Sequence, residues 1–184
     1  GKTILVCVTG GIAAYKVCEV VSKLAQAKAR VTVAMTEDAQ RFVGTATFQA
    51  LSGRAVVTDM WAPRPVEAPA HVDLAQSSDL IVVAPCTANM MAKMAAGIAD
   101  ELVSTLLLAA DPRRIVIAPA MNEAMWNHPA TQRNVDRLRA DGVLVAGPAA
   151  GEQACGETGM GRMLEPEDLL GEIEAAFQPK LLAG

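Results

Sequence analysis

The chain has 184 residues, 52% hydrophobic but only 3% aromatic, with a net charge of −4 and an isoelectric point near 5.2. That length fits one domain of ordinary size, its core must be built from Val, Ile, Leu, Ala and Met, and the acidic balance excludes a broad basic face for nucleic acid or membrane. The longest apolar stretch, near Leu102 to Ala110, is broken by Ser104 and Thr105 and is far short of the roughly 18 residues that span a bilayer.

The first β-branched run, Ile4 to Thr9, leads into Thr9-Gly10-Gly11-Ile12-Ala13-Ala14-Tyr15-Lys16. Apolar residues at Val17, Val20, Val21 and Leu24 then give Ala13 to Ala27 the spacing of a helix. A glycine turn opening a helix offers unpaired N–H groups and the positive end of the dipole, which favour phosphate. A plain tight turn is the other reading. The turn is not G-x-G-x-x-G, so it does not specify a nicotinamide cofactor. Cys7 and Cys18 fall on these two elements as small hydrophobes.

A second strand, Val31 to Met35, ends at Thr36, whose hydroxyl suits either a helix cap or a phosphate. A third run, Ala55 to Thr58, precedes Trp61 to Pro69, a loop with three prolines. His71-Val72-Asp73-Leu74-Ala75 then opens a helix. A histidine there can serve as an acid or base near neutral pH, or simply cap the helix or face solvent. The strand Leu80 to Ala84 leads into Pro85-Cys86-Thr87-Ala88-Asn89, again a polar turn and a helix start. Thr87 and Asn89 fit a cap as well as a pocket.

Ile115 to Pro119 runs into Ala120-Met121-Asn122-Glu123-Ala124-Met125-Trp126. In open α/β sheets ligands bind beyond the carboxyl ends of strands. Asn122, with two amide donors and one carbonyl acceptor, therefore stands where it can grip a polar group between the apolar walls of Met125 and Trp126. A structural Asn turn beside core Met and Trp is the alternative. His128, just before Pro129, reads as structural. A helix from near Thr131 closes at Asp141-Gly142, and Val143 to Ala146 is the last strand. The glycine-rich Gly151 to Met163 reads as neither helix nor strand, which makes its thiol, Cys155, a chemical candidate.

Near-continuous apolar runs alternating with helices give a three-layer α/β/α domain whose six predicted strands form a parallel sheet. The four cysteines have no zinc or C-x-x-C spacing, which suits reduced thiols in the cytoplasm. With only two histidines, a multi-histidine metal site is excluded.

Taken together, the Gly10-Gly11 turn, His71 to Ala75, Pro85 to Asn89, Pro119 to Trp126 and Ala154-Cys155-Gly156 with Gly161-Arg162-Met163 resemble the flavin-containing cysteine decarboxylases, in the right order from about Lys2 to Met163. The likeness is closer to the members that convert 4′-phosphopantothenoylcysteine to 4′-phosphopantetheine in coenzyme A biosynthesis, through thioaldehyde and enethiol intermediates. The resemblance implies a Rossmann-like six-stranded parallel sheet, FMN, a phosphorylated cysteine-containing small molecule as substrate, and a homotrimer or assembly of trimers with sites at subunit interfaces. It implies that Gly11, Ile12, Thr36, Cys86, Thr87, Ala88 and Asn89 hold FMN and that His71 is the base. It gives Asn122, with Met125 and Trp126, the carboxylate-bearing end of the substrate, and Cys155 the late proton. Met90 departs from the hydroxyl residue that the family often has there.

Bifunctional members also carry a ligase domain that couples cysteine to phosphopantothenate. Residues 1–178 would then be the decarboxylase domain, and Pro179 to Gly184 the start of an interdomain linker in a longer protein. Relatives acting on a peptide's carboxyl-terminal cysteine, flavin prenyltransferases and non-catalytic regulatory relatives are the alternatives.

Overall fold

The computed structural model describes residues 1–63, 71–152, 156 and 158–177. Strand β1 (Thr3–Val8) leads through the glycine turn into helix α1 (Ala14–Gln26), and β2 (Arg30–Met35) follows. Helix α1 forms on the predicted spacing: Val17, Val20, Val21 and Leu24 are buried against the sheet. Side chains of this size contribute roughly 1.5–3 kcal/mol each on burial, before entropy is counted.

Beyond β2 lie a short 3-10 turn (Asp38–Arg41), α2 (Thr45–Ser52) and α3 (His71–Ser77). Then come β3 (Leu80–Cys86), α4 (Ala88–Ala96), α5 (Leu102–Ala109) and β4 (Ile115–Pro119). The chain continues through α6 (Glu123–Asn127), α7 (Pro129–Asp141) and β5 (Leu144–Val145). A hairpin of β6 (Ala149–Glu152) and β7 (Thr158–Arg162) precedes α8 (Pro166–Ala176).

The five strands β1 to β5 form one parallel sheet in the order β2-β1-β3-β4-β5. Its two faces bury separate clusters: Val6, Val8 and Val33 pack with α1 and α8, while Leu5, Ile81 and Ile117 pack with α5 and α7. Strands covered on both sides need the unbroken apolar runs seen in the sequence.

Two expectations are corrected. The sheet has five strands, not six, because the run Ala55 to Thr58 makes a single parallel bridge, Val57 to Ala34. Val57 donates to the Val33 carbonyl and accepts from the Met35 amide, and a run so short sustains no further ladder. The glycine-rich segment, in turn, does form strands over its described residues. Ala149 to Glu152 pairs antiparallel with Thr158 to Arg162, since the ladder uses backbone groups that glycine possesses. The space matters at Gly159, where a Cβ would collide with the Glu123 carboxylate. Arg64 to Ala70 of the predicted proline loop, and Cys155, lie outside the described residues. Among the described residues no helix is long and apolar enough to cross a membrane.

Candidate active site

The strand order reverses between β1 and β3, and a doubly wound sheet opens a crevice where this happens. The loops after β1, β3 and β4 meet there. Thr9, 1% exposed, ties the first two: its hydroxyl donates to the Pro85 carbonyl and accepts from the Thr87 amide at 3.2 Å. The third is tied by the Ala120 amide, which donates to the Cys86 carbonyl at 3.1 Å. The hairpin closes the side, with Met121 N donating to Gly161 O at 2.8 Å.

These loops enclose a cavity of about 900 Å³, whose walls include Gly11, Ile12, Thr87, Ala88, Asn89, Asn122, Met125 and Arg162. Ile12 and Tyr15, each 61% exposed, and Met125 give it an apolar surface that a flat ligand would cover. In the turn before α1, Gly11 N donates to Thr9 O and Ala14 N to Gly11 O. Among the described residues nothing accepts from the amides of Ile12 and Ala13, which leaves them for a ligand at the helix start. At Gly11 an added Cβ would come within 3.6 Å of Pro85 and 3.9 Å of Thr87, so the glycine leaves the floor of the cradle open.

A second cavity, of about 480 Å³, shares Gly10, Thr87 and Asn89 with the first. Its other walls include Thr36, Met60, Trp61, Lys93, Asp100 and Glu101. Thr36 is therefore on this side, where its hydroxyl accepts from Ala39 N at 3.1 Å. His71 opens α3 with its Nε2 3.2 Å from the Met60 carbonyl, which places it beside the second cavity while Asn122 lines the first. Lys93 pairs with Asp100 at 2.9 Å and draws its carboxyl below the usual range.

Several predicted residues also act as caps. Thr87 Oγ1 accepts from Met90 N at 3.1 Å, His128 Nδ1 from Ala130 N at 3.0 Å and Asn122 Oδ1 from Ala124 N at 2.8 Å. The Asn122 amide nitrogen is still a donor. Trp126 packs against the core beside Met121, whereas Met125 is half exposed on the cavity wall. Met90 is buried in the core with its amide on Thr87.

Cys86 is fully buried among α4 and α5 side chains, and burial pushes its thiol up to about 12. Only its backbone is offered to the loop. Cys7 is likewise buried and raised by desolvation. Neither thiol should react with iodoacetamide in the folded protein at pH 8, since the thiolate is the nucleophile; mass spectrometry of the labelled native chain checks this, and rapid labelling of either would be inconsistent with this packing.

Sequence reasoning missed three parts of this region. Thr9 was visible only as a turn residue, and its link to Pro85 spans 76 positions. Asp100 to Leu102 carry a readable signal, because Glu101 and Ser104 form a capping box at the start of α5. Lys16 and Arg162 were quoted in motifs, but their common partner Glu165 was not.

A model of the flavoprotein family matches residues 1–178. The chain belongs to the flavoprotein family. This flavoprotein is 46% identical over its whole length to the coenzyme A biosynthesis bifunctional protein CoaBC of Vibrio cholerae serotype O1, covering 46% of that relative. It thus spans about half the length of the curated relatives it matches. Among solved structures it is similar to a PPC decarboxylase variant complexed with pantothenoylaminoethenethiol, with a TM-score of 0.83 and 27% identity over 95% of this chain and 97% of that one. It is also similar to the FMN-dependent cysteine decarboxylase SpaF, with a TM-score of 0.78 and 34% identity over 96% and 98%.

Proposed function

We propose that this domain uses FMN to decarboxylate 4′-phosphopantothenoylcysteine to 4′-phosphopantetheine in coenzyme A biosynthesis. The observation that carries the reading is the meeting of Gly11 to Ala13, Thr87 to Asn89 and Asn122 to Met125 in one cavity at the reversal of strand order. The 46% identity to CoaBC across the 184 residues of this chain and the likeness to PPC decarboxylase support it.

The residues fit FMN. The free amides of Ile12 and Ala13 at the start of α1 suit its phosphate, and the open floor at Gly11 with the Thr87, Ala88 and Asn89 loop suits a flat ring. Thr36 and the Cys86 backbone complete that set. Bound there, FMN supplies a two-electron acceptor that is restored by the end of the cycle, so no net oxidation results.

The chain's own residues do the rest. Asn122 donates to the substrate carboxylate beside Met125, with Trp126 packed behind against the core. His71 takes the proton released as the CH2–SH group becomes a thioaldehyde. The adjacent carboxylate can then leave as CO2, because its electrons flow onto sulfur and give an enethiolate; without that C=S group the carbanion would have no sink. Cys155 donates the proton to carbon as the enethiol is reduced to product. Gly10, Thr87 and Asn89 wall both cavities, so a ligand held there meets the His71 side and the Asn122 side. A homotrimer or an assembly of trimers, with sites at subunit interfaces, and a ligase domain in the same polypeptide complete the reading.

The experiment is the mass of the product after one anaerobic turnover of 4′-phosphopantothenoylcysteine. The wild type is expected to give 4′-phosphopantetheine. Cys155→Ser keeps the size but is a far weaker acid, so CO2 release persists while the product carries two hydrogens fewer. Fully reduced product from the serine variant at the wild-type rate would remove Cys155 from the mechanism, and no CO2 release from the wild type would overturn the reading.

A further inference from the structure

Two cations on the wall of the large cavity converge on one carboxylate. Lys16 Nζ lies 2.9 Å, and Arg162 Nη2 2.6 Å, from the same Glu165 oxygen. Lys16 is in the first turn of α1, Arg162 ends β7, and Glu165 is the cap residue of α8, so the start of α1 meets the neighbouring β7 and α8 across 149 positions of sequence. The Lys16 side chain is only 10% exposed, against 38% for Arg162 and 50% for Glu165. The Lys16 hydrogen bond, with Arg162 behind it, holds the Glu165 carboxyl below the usual carboxylate range.

Partly exposed pairs of this kind add little stability, but they fix the direction of long side chains. Among the described residues Glu165 occupies one hydrogen-bonding direction of each cation, and a guanidinium has five donors and an ammonium three. Gly151 contributes to the placement, because a Cβ there would stand 3.2 Å from Arg162 Cδ and Nη1. The glycine lets the arginine lie across β6.

Lys16, Arg162 and Asn122 line the same cavity, so a substrate held at Asn122 by its carboxylate extends its phosphorylated end along a wall that carries both cations, while the amides of Ile12 and Ala13 offer another set of donors for the cofactor's phosphate. Multiple donors on two cations match the three acceptor oxygens of a phosphomonoester. We propose that Lys16 and Arg162, held by Glu165, form the subsite for the phosphomonoester end of the substrate. This rests on the decarboxylase reading above.

The test compares kcat/KM for 4′-phosphopantothenoylcysteine and for its dephospho form, pantothenoylcysteine, using the FMN-loaded protein. The wild type should prefer the phosphorylated compound by roughly tenfold or more, the worth of one hydrogen bond to a charged group. In Arg162→Met and Lys16→Met that ratio should collapse toward one, chiefly through KM, with FMN retained. Equal slowing on both compounds would assign the cations to another part of the substrate, and loss of FMN would assign them to the cofactor's phosphate; either overturns the proposal. Should the variants not fold, inorganic phosphate on the wild type decides. It should compete with the phosphorylated compound and spare the dephospho form, and equal inhibition of both refutes the subsite. A wild type that decarboxylates both compounds equally well refutes the subsite alone. One that decarboxylates neither refutes the decarboxylase reading and the subsite with it.

Discussion

His71→Asn is expected to leave FMN bound and to lower decarboxylation by roughly 10²–10⁴-fold, the range that a positioned general base contributes. The exchange keeps a polar side chain at the helix start. His71 opens α3 and its Nε2 lies 3.2 Å from the Met60 carbonyl, a contact that the shorter asparagine, whose amide stands where Nδ1 does, gives up at a cost of about 0.5–1.5 kcal/mol. Asparagine is also a good residue at a helix start. What it cannot do is take up a proton and release it near neutral pH. Anaerobic addition of substrate should therefore fail to bleach the flavin absorbance in the variant, although the spectrum of bound FMN is present beforehand. Bleaching at the wild-type rate would return His71 to a capping residue that happens to adjoin the second cavity.

Most of the sheet was legible because burial on both faces imposes a pattern that local sequence displays. Val82, Val116 and their neighbours in β3 and β4 are fully or almost fully buried, and their runs are apolar throughout. The Ala55 to Thr58 run has the same composition on a smaller scale, yet only Val57 bridges; four residues of β propensity do not reveal how long a partner will stay alongside. The hairpin was misjudged for a different reason. Propensity penalises glycine for its entropy, whereas at Gly151 and Gly159 the lack of a side chain is what lets Arg162 and Glu123 approach.

The candidate site was legible in its loops and illegible in its cross-links. Thr87 and Asn122 were each readable as a cap or a ligand residue, and the structure shows that the two are compatible: the capping atom is an oxygen, and Asn122 has a nitrogen to spare. Lys16 and Glu165, by contrast, are 149 positions apart. No periodicity joins residues at that separation, so their pairing emerges only when α1 and α8 pack on the same face of the sheet.

That division of labour within Asn122 determines how its role should be tested. Asn122→Ala would remove both the oxygen that accepts from Ala124 N and the nitrogen that donates to a ligand, so a loss of activity would be ambiguous. Asn122→Asp keeps the acceptor, and a carboxylate at a helix N-terminus interacts favourably with the dipole. The fold should therefore be as stable as the wild type, with an unchanged Tm. The variant nevertheless loses its donor and sets a negative charge against the substrate's carboxylate. Losing a hydrogen bond to a charged group costs about 1.5–3 kcal/mol, and the like-charge repulsion adds to it. We expect kcat/KM to fall by about a hundredfold or more. Asn122→Ser, which also retains an oxygen for the cap, brings no charge and keeps a hydroxyl donor, should fall by less, so that the gap between the two variants reports the repulsion together with the lost donor. If Asn122→Asp keeps the wild-type kcat and KM, Asn122 is a helix cap and the substrate carboxylate is bound elsewhere in the cavity.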